Sequence, residues 1–65
     1  MDKVLFDSKV SEQGLKYTFI AEKLGISEQA LTRKRKGIIP FKVREIKILK
    51  PMLDLTDKET IRIFL

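Results

Sequence analysis

The amino-acid sequence predicts an all-α fold of five short helices in one domain, residues 1–65. Apolar residues recur at helical spacing in five segments, and no segment shows the sustained alternation of apolar and polar residues that is typical of strands. Gly14, Gly25 and Gly37 separate the first four segments. A chain of 65 residues has room for one small core, and neither a repeat nor a linker divides it.

The boundaries of the first three helices follow from capping residues and from glycine. Asp2 can cap the amino terminus of the first helix, and Gly14 ends that helix. Gly25, in a left-handed conformation, ends the second helix. Ser27 precedes the third helix as its N-cap residue, and Gly37 follows it. These residues predict helices at 2–13, 17–24 and 28–35.

The last two helices are predicted from apolar spacing and from a capping motif. The fourth covers residues 42–53 and contains Pro51, which lacks a donor and crowds the carbonyl of Lys47. We therefore expect a kink, or an early stop near Lys50. Residues 56–59 form a capping box that opens the fifth helix. The predicted core comprises Phe6, Val10, Leu15, Ile20, Leu24, Ile26, Leu31, Phe41, Ile46, Leu49, Leu53 and Ile61.

The composition argues against catalysis and against a membrane location. The chain has no cysteine and no histidine, so it lacks thiolate ligands and the commonest general base. Asp54, Asp57 and Glu59 cluster at a helix start, where capping explains them. No apolar run can span a membrane, and Asp2 and Asp7 interrupt the first apolar stretch. We expect a cytoplasmic protein that is not an enzyme and uses no cofactor or metal.

Positive charge is concentrated in one third of the chain. Residues 1–29 hold four lysines and five acids, and residues 51–65 hold two cations and three acids. Residues 30–50 hold eight lysines or arginines and one acid, and they account for the net charge of +5. A focused positive field is typical of proteins that bind a polyanion, so the charge pattern predicts a nucleic-acid partner.

Residues 20–37, IAEKLGISEQALTRKRKG, are typical of a helix-turn-helix. Ala21 is small where the two helices would cross, and Gly25 supplies a positive φ in the turn. Ile26 and Leu31 are apolar, as residues that hold the second helix against the first should be. The alternative is an ordinary helical hairpin. The basic helix after the turn favours a helix that enters the DNA major groove.

Residues 17–37 resemble the helix-turn-helix of the lambda-repressor-like (Cro/repressor) superfamily, through the AEKLGIS core and the RKRKG exit. The similarity extends from about Phe6 to Phe64. It implies a lambda-repressor-like DNA-binding domain acting on operator DNA in a bacterial host cell. A divergently transcribed repressor gene alongside would make the protein one half of a genetic switch. Small phage-encoded regulators of Gram-positive hosts have a similar tail at Pro40-Phe41, Glu45-Ile46 and Leu53-Asp54-Leu55-Thr56.

In this family the first turn of the recognition helix reads base edges. The resemblance therefore implies base contacts by Ser27, Glu28, Gln29, Thr32 and Arg33. The side chains suit this role, because Gln29 can bond adenine and Arg33 can bond guanine in bidentate fashion. Glu28 has two interpretations: it accepts from a cytosine amine, or it interacts favourably with the helix dipole.

DNA backbone contacts are predicted for Tyr17, Lys34, Lys36, Gly37, Lys42 and Arg44. Many family members carry a phosphate-binding glutamine at the position of Tyr17, and the phage group often has an apolar residue at the position of Arg35. Consecutive helical residues point roughly 100° apart, so not every cation here can face DNA. Lys36 and Lys42 are the preferred pair, joined by the amides around Gly37. The alternative to phosphate contact is that these cations form a charged face that only solvent contacts.

The predicted function is sequence-specific transcriptional regulation, with the third helix in the major groove and a homodimer reading two half-sites. The alternative is a protein-interaction module, an antirepressor or modulator that binds a partner repressor. Glu28, Tyr17 and the pair Ile38-Ile39 keep this alternative open, although we expect the two isoleucines to cap the core. Two positions are open for the last three apolar residues, either in the core or in a dimer interface. These residues are Ile63, Phe64 and Leu65.

Overall fold

The computed structural model describes residues 1–65 and contains five α-helices and no β-strand. The helices are α1 (Lys3–Glu12), α2 (Tyr17–Leu24), α3 (Glu28–Arg35), α4 (Val43–Met52) and α5 (Asp57–Phe64). The prediction of an all-α protein with five short helices is confirmed. Helices α2 and α3 have the predicted bounds. Helices α1 and α4 are one residue shorter at each end, because the outermost predicted residues are caps. No helix combines the length and the apolar character needed to cross a membrane.

Four helices end with a left-handed residue that an apolar residue follows. After α2, Gly25 has φ 70°, and its N–H donates to the carbonyl of Glu22 at 3.1 Å. The N–H of Ile26 donates to the carbonyl of Ala21 at 3.0 Å. These bonds satisfy carbonyls that a helix end would otherwise leave unpaired. Asp54 takes the corresponding place after α4 with φ 52°, which an aspartate tolerates better than most residues.

The proline in α4 does not end the helix early. Helix α4 continues through Pro51 to Met52, so of the two expected outcomes, a kink or an early stop near Lys50, the early stop does not occur. Proline removes one hydrogen bond inside the last turn, but the following residues close that turn. The N–H of Leu55 donates to the carbonyl of Lys50 at 2.9 Å across the left-handed Asp54. The local turn at Asp54, rather than the proline, therefore decides where α4 ends.

The hydrophobic core is built from all five helices and the turn before α5. Leu15, Ile26 and Phe41, which were predicted as core, pack on its edge and are partly buried. Ile61 is 56% exposed, so its assignment to the core is wrong. Ile63, two residues further along α5, faces inward instead and is fully buried. The buried apolar side chains are Phe6, Val10, Ile20, Ala21, Leu24, Leu31, Leu49, Leu53, Leu55 and Ile63.

Three phenylalanines from distant parts of the chain form one aromatic cluster. The ring of Phe41 lies 5.6 Å from that of Phe6 and 5.2 Å from that of Phe64, measured between centroids. These tilted and edge-on arrangements are favourable for aromatic pairs. Phe64 and the fully buried Ile63 are therefore part of the interior packing. Of the three terminal apolar residues, only Leu65 is left exposed for an interface.

Candidate nucleic-acid interface

A short turn holds α3 against α2 and leaves one face of α3 in solvent. Gly25 ends α2, and the hydroxyl of Ser27 caps α3 by accepting from the N–H of Ala30 at 3.0 Å. Leu31 is buried with Ala21 in the core between the helices. Residues on the opposite side of α3 are consequently directed outward, since side chains on a helix repeat every 3.6 residues.

The outward face of α3 lines an open groove. Four of the five residues that were predicted to contact DNA bases, called the base readers below, line this groove. Glu28, Gln29 and Arg33 are exposed. Thr32 is half-buried, and its hydroxyl donates to the carbonyl of Glu28 at 3.0 Å, so it has accepting capacity left for a ligand. Ser27 differs, because its side chain is engaged as the N-cap. The groove is lined by Glu28, Gln29, Thr32, Arg33, Lys36 and Ile38.

The basic segment divides into paired and outward-facing cations. Lys34 is paired with Glu45, Arg35 with Asp7, and Lys50 with Asp57. The side chain of Arg44 is mostly in solvent, although its Nη2 donates to the carbonyl of Leu24 at 3.2 Å. The positive surface is therefore smaller than the sequence suggests. The cations that remain exposed in this segment are Arg33, Lys36, Lys42, Arg44 and Lys47.

Lys34 is not at the surface, which corrects its prediction as a DNA backbone contact. Lys34 is 5% exposed, and its Nζ lies 2.5 and 2.7 Å from the two carboxylate oxygens of Glu45. Lys34 follows Leu31 by one turn, and so it shares the inward face of α3. Burial raises the pKa of Glu45, but the hydrogen bonds from Lys34 and from the N–H of Lys42 outweigh it and leave that pKa lowered.

Tyr17 is likewise bound within the protein, which argues against its predicted contact with the DNA backbone. Its hydroxyl donates to Asp7 Oδ1 at 2.6 Å, so its only proton is not available to a phosphate. Burial and the bond to Asp7 raise the pKa of Tyr17. Asp7 also accepts from Arg35 Nε at 3.2 Å and Nη2 at 3.0 Å. This network joins α1, α2 and α3, and it places Arg35 in a structural role.

The amides around Gly37 are also engaged within the protein. The N–H of Gly37 donates to the carbonyl of Lys34 at 3.1 Å, and the N–H of Ile38 donates to that of Arg33 at 2.9 Å. Gly37, with φ 78°, therefore supplies a turn rather than a phosphate donor. Ile38 itself is 67% exposed, so the expectation that it caps the core is wrong.

The start of α4 presents a second cationic region. Lys42 is exposed, and its backbone N–H donates to Glu45 Oε1 at 2.8 Å. Lys42 occupies the N-cap position but has no side-chain acceptor, so no side chain caps the first amides of α4. Lys42 and Arg44 thus flank a helix amino terminus, where the helix dipole favours an anion.

Sequence reasoning missed the two acids that organise this region, Glu45 and Asp7. One signal for Glu45 was present: it is the only acid among eight cations in residues 30–50, and it lies in the first turn of a predicted helix. Asp7 gave no comparable signal, because its partner Arg35 is 28 residues away.

Comparison with protein-family models, with curated proteins and with solved structures found no match to this chain.

Proposed function

We propose that this protein is a DNA-binding transcriptional regulator of the phage Cro/repressor type, which uses α2 and α3 as a helix-turn-helix. The observation that carries this proposal is the outward face of α3. There Gln29, Arg33 and Lys36 line one open groove, and Gln29 and Arg33 make no hydrogen bond through their side chains within the protein. Donors and acceptors of this kind on an exposed helix suit the edges of base pairs in the major groove.

The proposed base contacts come from the groove side chains. Gln29 bonds an adenine and Arg33 bonds a guanine, each in bidentate fashion. Glu28 accepts from a cytosine amine or acts only through the helix dipole, and Thr32 can accept through its hydroxyl oxygen. Ser27 acts mainly as the N-cap of α3, because its hydroxyl is already engaged with Ala30.

The proposed phosphate contacts are Lys36, Lys42 and Arg44. All three are exposed and follow the base readers in the chain, directly after α3 and at the start of α4. Phosphate contacts position a protein on the duplex, while base contacts provide its specificity. One small module buries only about 600–1,000 Å² of its surface on DNA, so a homodimer on two half-sites would give useful specificity.

Titration against duplex DNA tests this function. A duplex selected from a randomised library should bind the protein, and the affinity should fall at least about tenfold between about 50 and 200 mM salt, because each neutralised phosphate adds roughly 0.9 to the slope. The matched variants are Lys36→Ala in the interface and Lys58→Ala, an exposed cation on α5 outside the groove. Only Lys36→Ala should reduce the slope. Absent or salt-independent binding would overturn the proposal.

Two exposed apolar side chains support a second candidate function, a protein-interaction module that binds a partner repressor. Ile38 is 67% and Val43 69% exposed, and phosphate contacts do not explain either side chain. Exposed apolar surface often marks a protein interface. The test compares the double variant Gln29→Ala/Arg33→Ala with the single variant Ile38→Ser. If the double variant still regulates transcription and Ile38→Ser does not, this second function replaces the first. Co-purification with the partner would then identify it.

A further inference from the structure

We infer that Glu45, held in place by Lys34, is a positioning residue for DNA binding. It fixes the α3–α4 connection, residues 36–42, so that Lys36 and Lys42 face the same duplex as the base readers of α3. This inference rests on the proposed function. It goes further by assigning a role to a buried ion pair that touches no DNA.

One carboxylate joins the end of α3 to the beginning of α4. Glu45 Oε1 accepts from Lys34 Nζ at 2.5 Å and from the backbone N–H of Lys42 at 2.8 Å. Glu45 Oε2 accepts from the same Nζ at 2.7 Å. Glu45 is 0% exposed, so water does not compete for these bonds. The position of Lys42 relative to α3 is thereby set by a buried, charge-assisted network.

The connection has few other restraints. It begins with the turn at Gly37, and Ile38, Ile39 and Pro40 are all exposed. Only Phe41 packs inward, against the aromatic cluster, with its ring centroid 5.9 Å from the Nζ of Lys34. Without Glu45, Lys34 and the N–H of Lys42 would lose the acceptor that they share, and α4 would lose its link to the end of α3.

Stability alone does not explain a buried lysine and glutamate at this place. Apolar residues of similar volume in place of a buried ion pair often keep or raise stability, because the desolvation cost disappears. Leu31 and Leu49, which precede and follow the pair by one turn on the inward faces of their helices, show that apolar side chains suit these faces. What apolar residues cannot supply is the acceptor for the N–H of Lys42.

Two double variants separate this role from folding. The combination Lys34→Met with Glu45→Met removes the ion pair and the acceptor without changing the net charge. The matched control, Lys9→Met with Glu59→Met, is called the α1–α5 control. It removes an ion pair between α1 and α5 and the acceptor for the N–H of Thr56, but leaves residues 36–42 unchanged. Both are first checked for cooperative thermal unfolding. The measurements are then the salt slope on one selected duplex and the amide hydrogen exchange of Lys42 in the free protein.

We expect the Met–Met variant to fold, to exchange the Lys42 amide at least about tenfold faster, and to bind with a salt slope that is smaller by roughly 0.9 for each phosphate it no longer neutralises. The α1–α5 control should keep the wild-type slope, because it leaves Lys34, Glu45 and Lys42 in place. A folded Met–Met variant with the wild-type slope overturns this inference alone, as does an equal reduction in both variants. If the wild-type protein binds no duplex, the proposed function fails and this inference fails with it. If the Met–Met variant does not fold, Lys34→Met with Glu45→Gln replaces it, because this variant also breaks the link between α3 and α4 without changing the net charge. A reduced slope there supports the inference, and the wild-type slope overturns it.

Discussion

The guanidinium of Arg35 stacks on the ring of Tyr17, with Cζ 3.7 Å from the ring centroid. Both side chains also donate to the same carboxylate, that of Asp7. Each of these residues lies on a different helix, α1, α2 or α3. Tyr17, which the sequence associates with DNA, and Arg35, from the basic run, thus hold α3 on the domain. Their substitution should affect stability before it affects recognition.

Asp7→Ala should lower the free energy of unfolding by about 2–3 kcal/mol, because bonds to a charged and partly buried group are each worth more than neutral ones. Urea denaturation measures this change. Glu12→Ala on the same helix is the matched control. Glu12 is mostly exposed and pairs only with Lys9 at 3.4 Å, so its loss should cost at most about 0.5 kcal/mol. Equal effects of the two substitutions would contradict the structural role of Asp7.

Arg33→Ala and Arg35→Ala should separate recognition from stability. Arg33 is exposed, so its loss should leave stability nearly unchanged but weaken discrimination at one base pair by about 1–3 kcal/mol. Arg35 is held by Asp7 and Tyr17, so its loss should lower the unfolding midpoint and leave the sequence preference of the remaining folded protein intact. Competition binding with single-base variants of the selected duplex, together with denaturation, distinguishes the two. A shift in base preference for Arg35→Ala would contradict the assignment.

Stability should fall as the pH drops below about 4.5. Burial raises the pKa of both Glu45 and Asp7, but hydrogen bonds from lysine, arginine and tyrosine outweigh it and leave both below their usual values of 4.5 and 3.8. The unfolded chain therefore takes up protons at a higher pH than the folded one does, and acid favours unfolding. The stabilisation is complete above the unfolded pKa values and is lost as the pH falls through the folded ones. Urea midpoints between pH 7 and pH 3 measure this dependence, and Asp7→Asn should flatten it.

Gly25→Ala should lower the free energy of unfolding by about 1–2 kcal/mol, because φ 70° is a left-handed conformation that alanine adopts at a cost. A Cβ at Gly25 would meet nothing within 4 Å, so the cost is conformational and not steric crowding with another element. Asp54→Gly is the converse control. It relieves φ 52° after α4 and should stabilise the protein by up to about 1 kcal/mol. Thermal unfolding of both variants checks the pair; destabilisation by Asp54→Gly would show that the Asp54 side chain has another role.

The sequence alone determined the helices and most of their ends, because these depend on nearby residues. Ser27 and Thr56 cap the helices that follow them, and Gly25 ends the helix before it, as predicted. One local rule failed, because α4 passes Pro51 and ends before the left-handed turn at Asp54, an aspartate where the rule expects glycine.

Only the tertiary structure decided which cations face solvent. In the sequence Arg33, Lys34, Arg35 and Lys36 are one basic run, but in the fold the middle two are bound to Glu45 and Asp7. These partners are 11 and 28 residues away. No local pattern predicts such pairs, because they form only when packing brings distant helices together and removes water from both charges. The fold class was thus available from periodicity and capping, whereas the makeup of the candidate interface depended on long-range ion pairs.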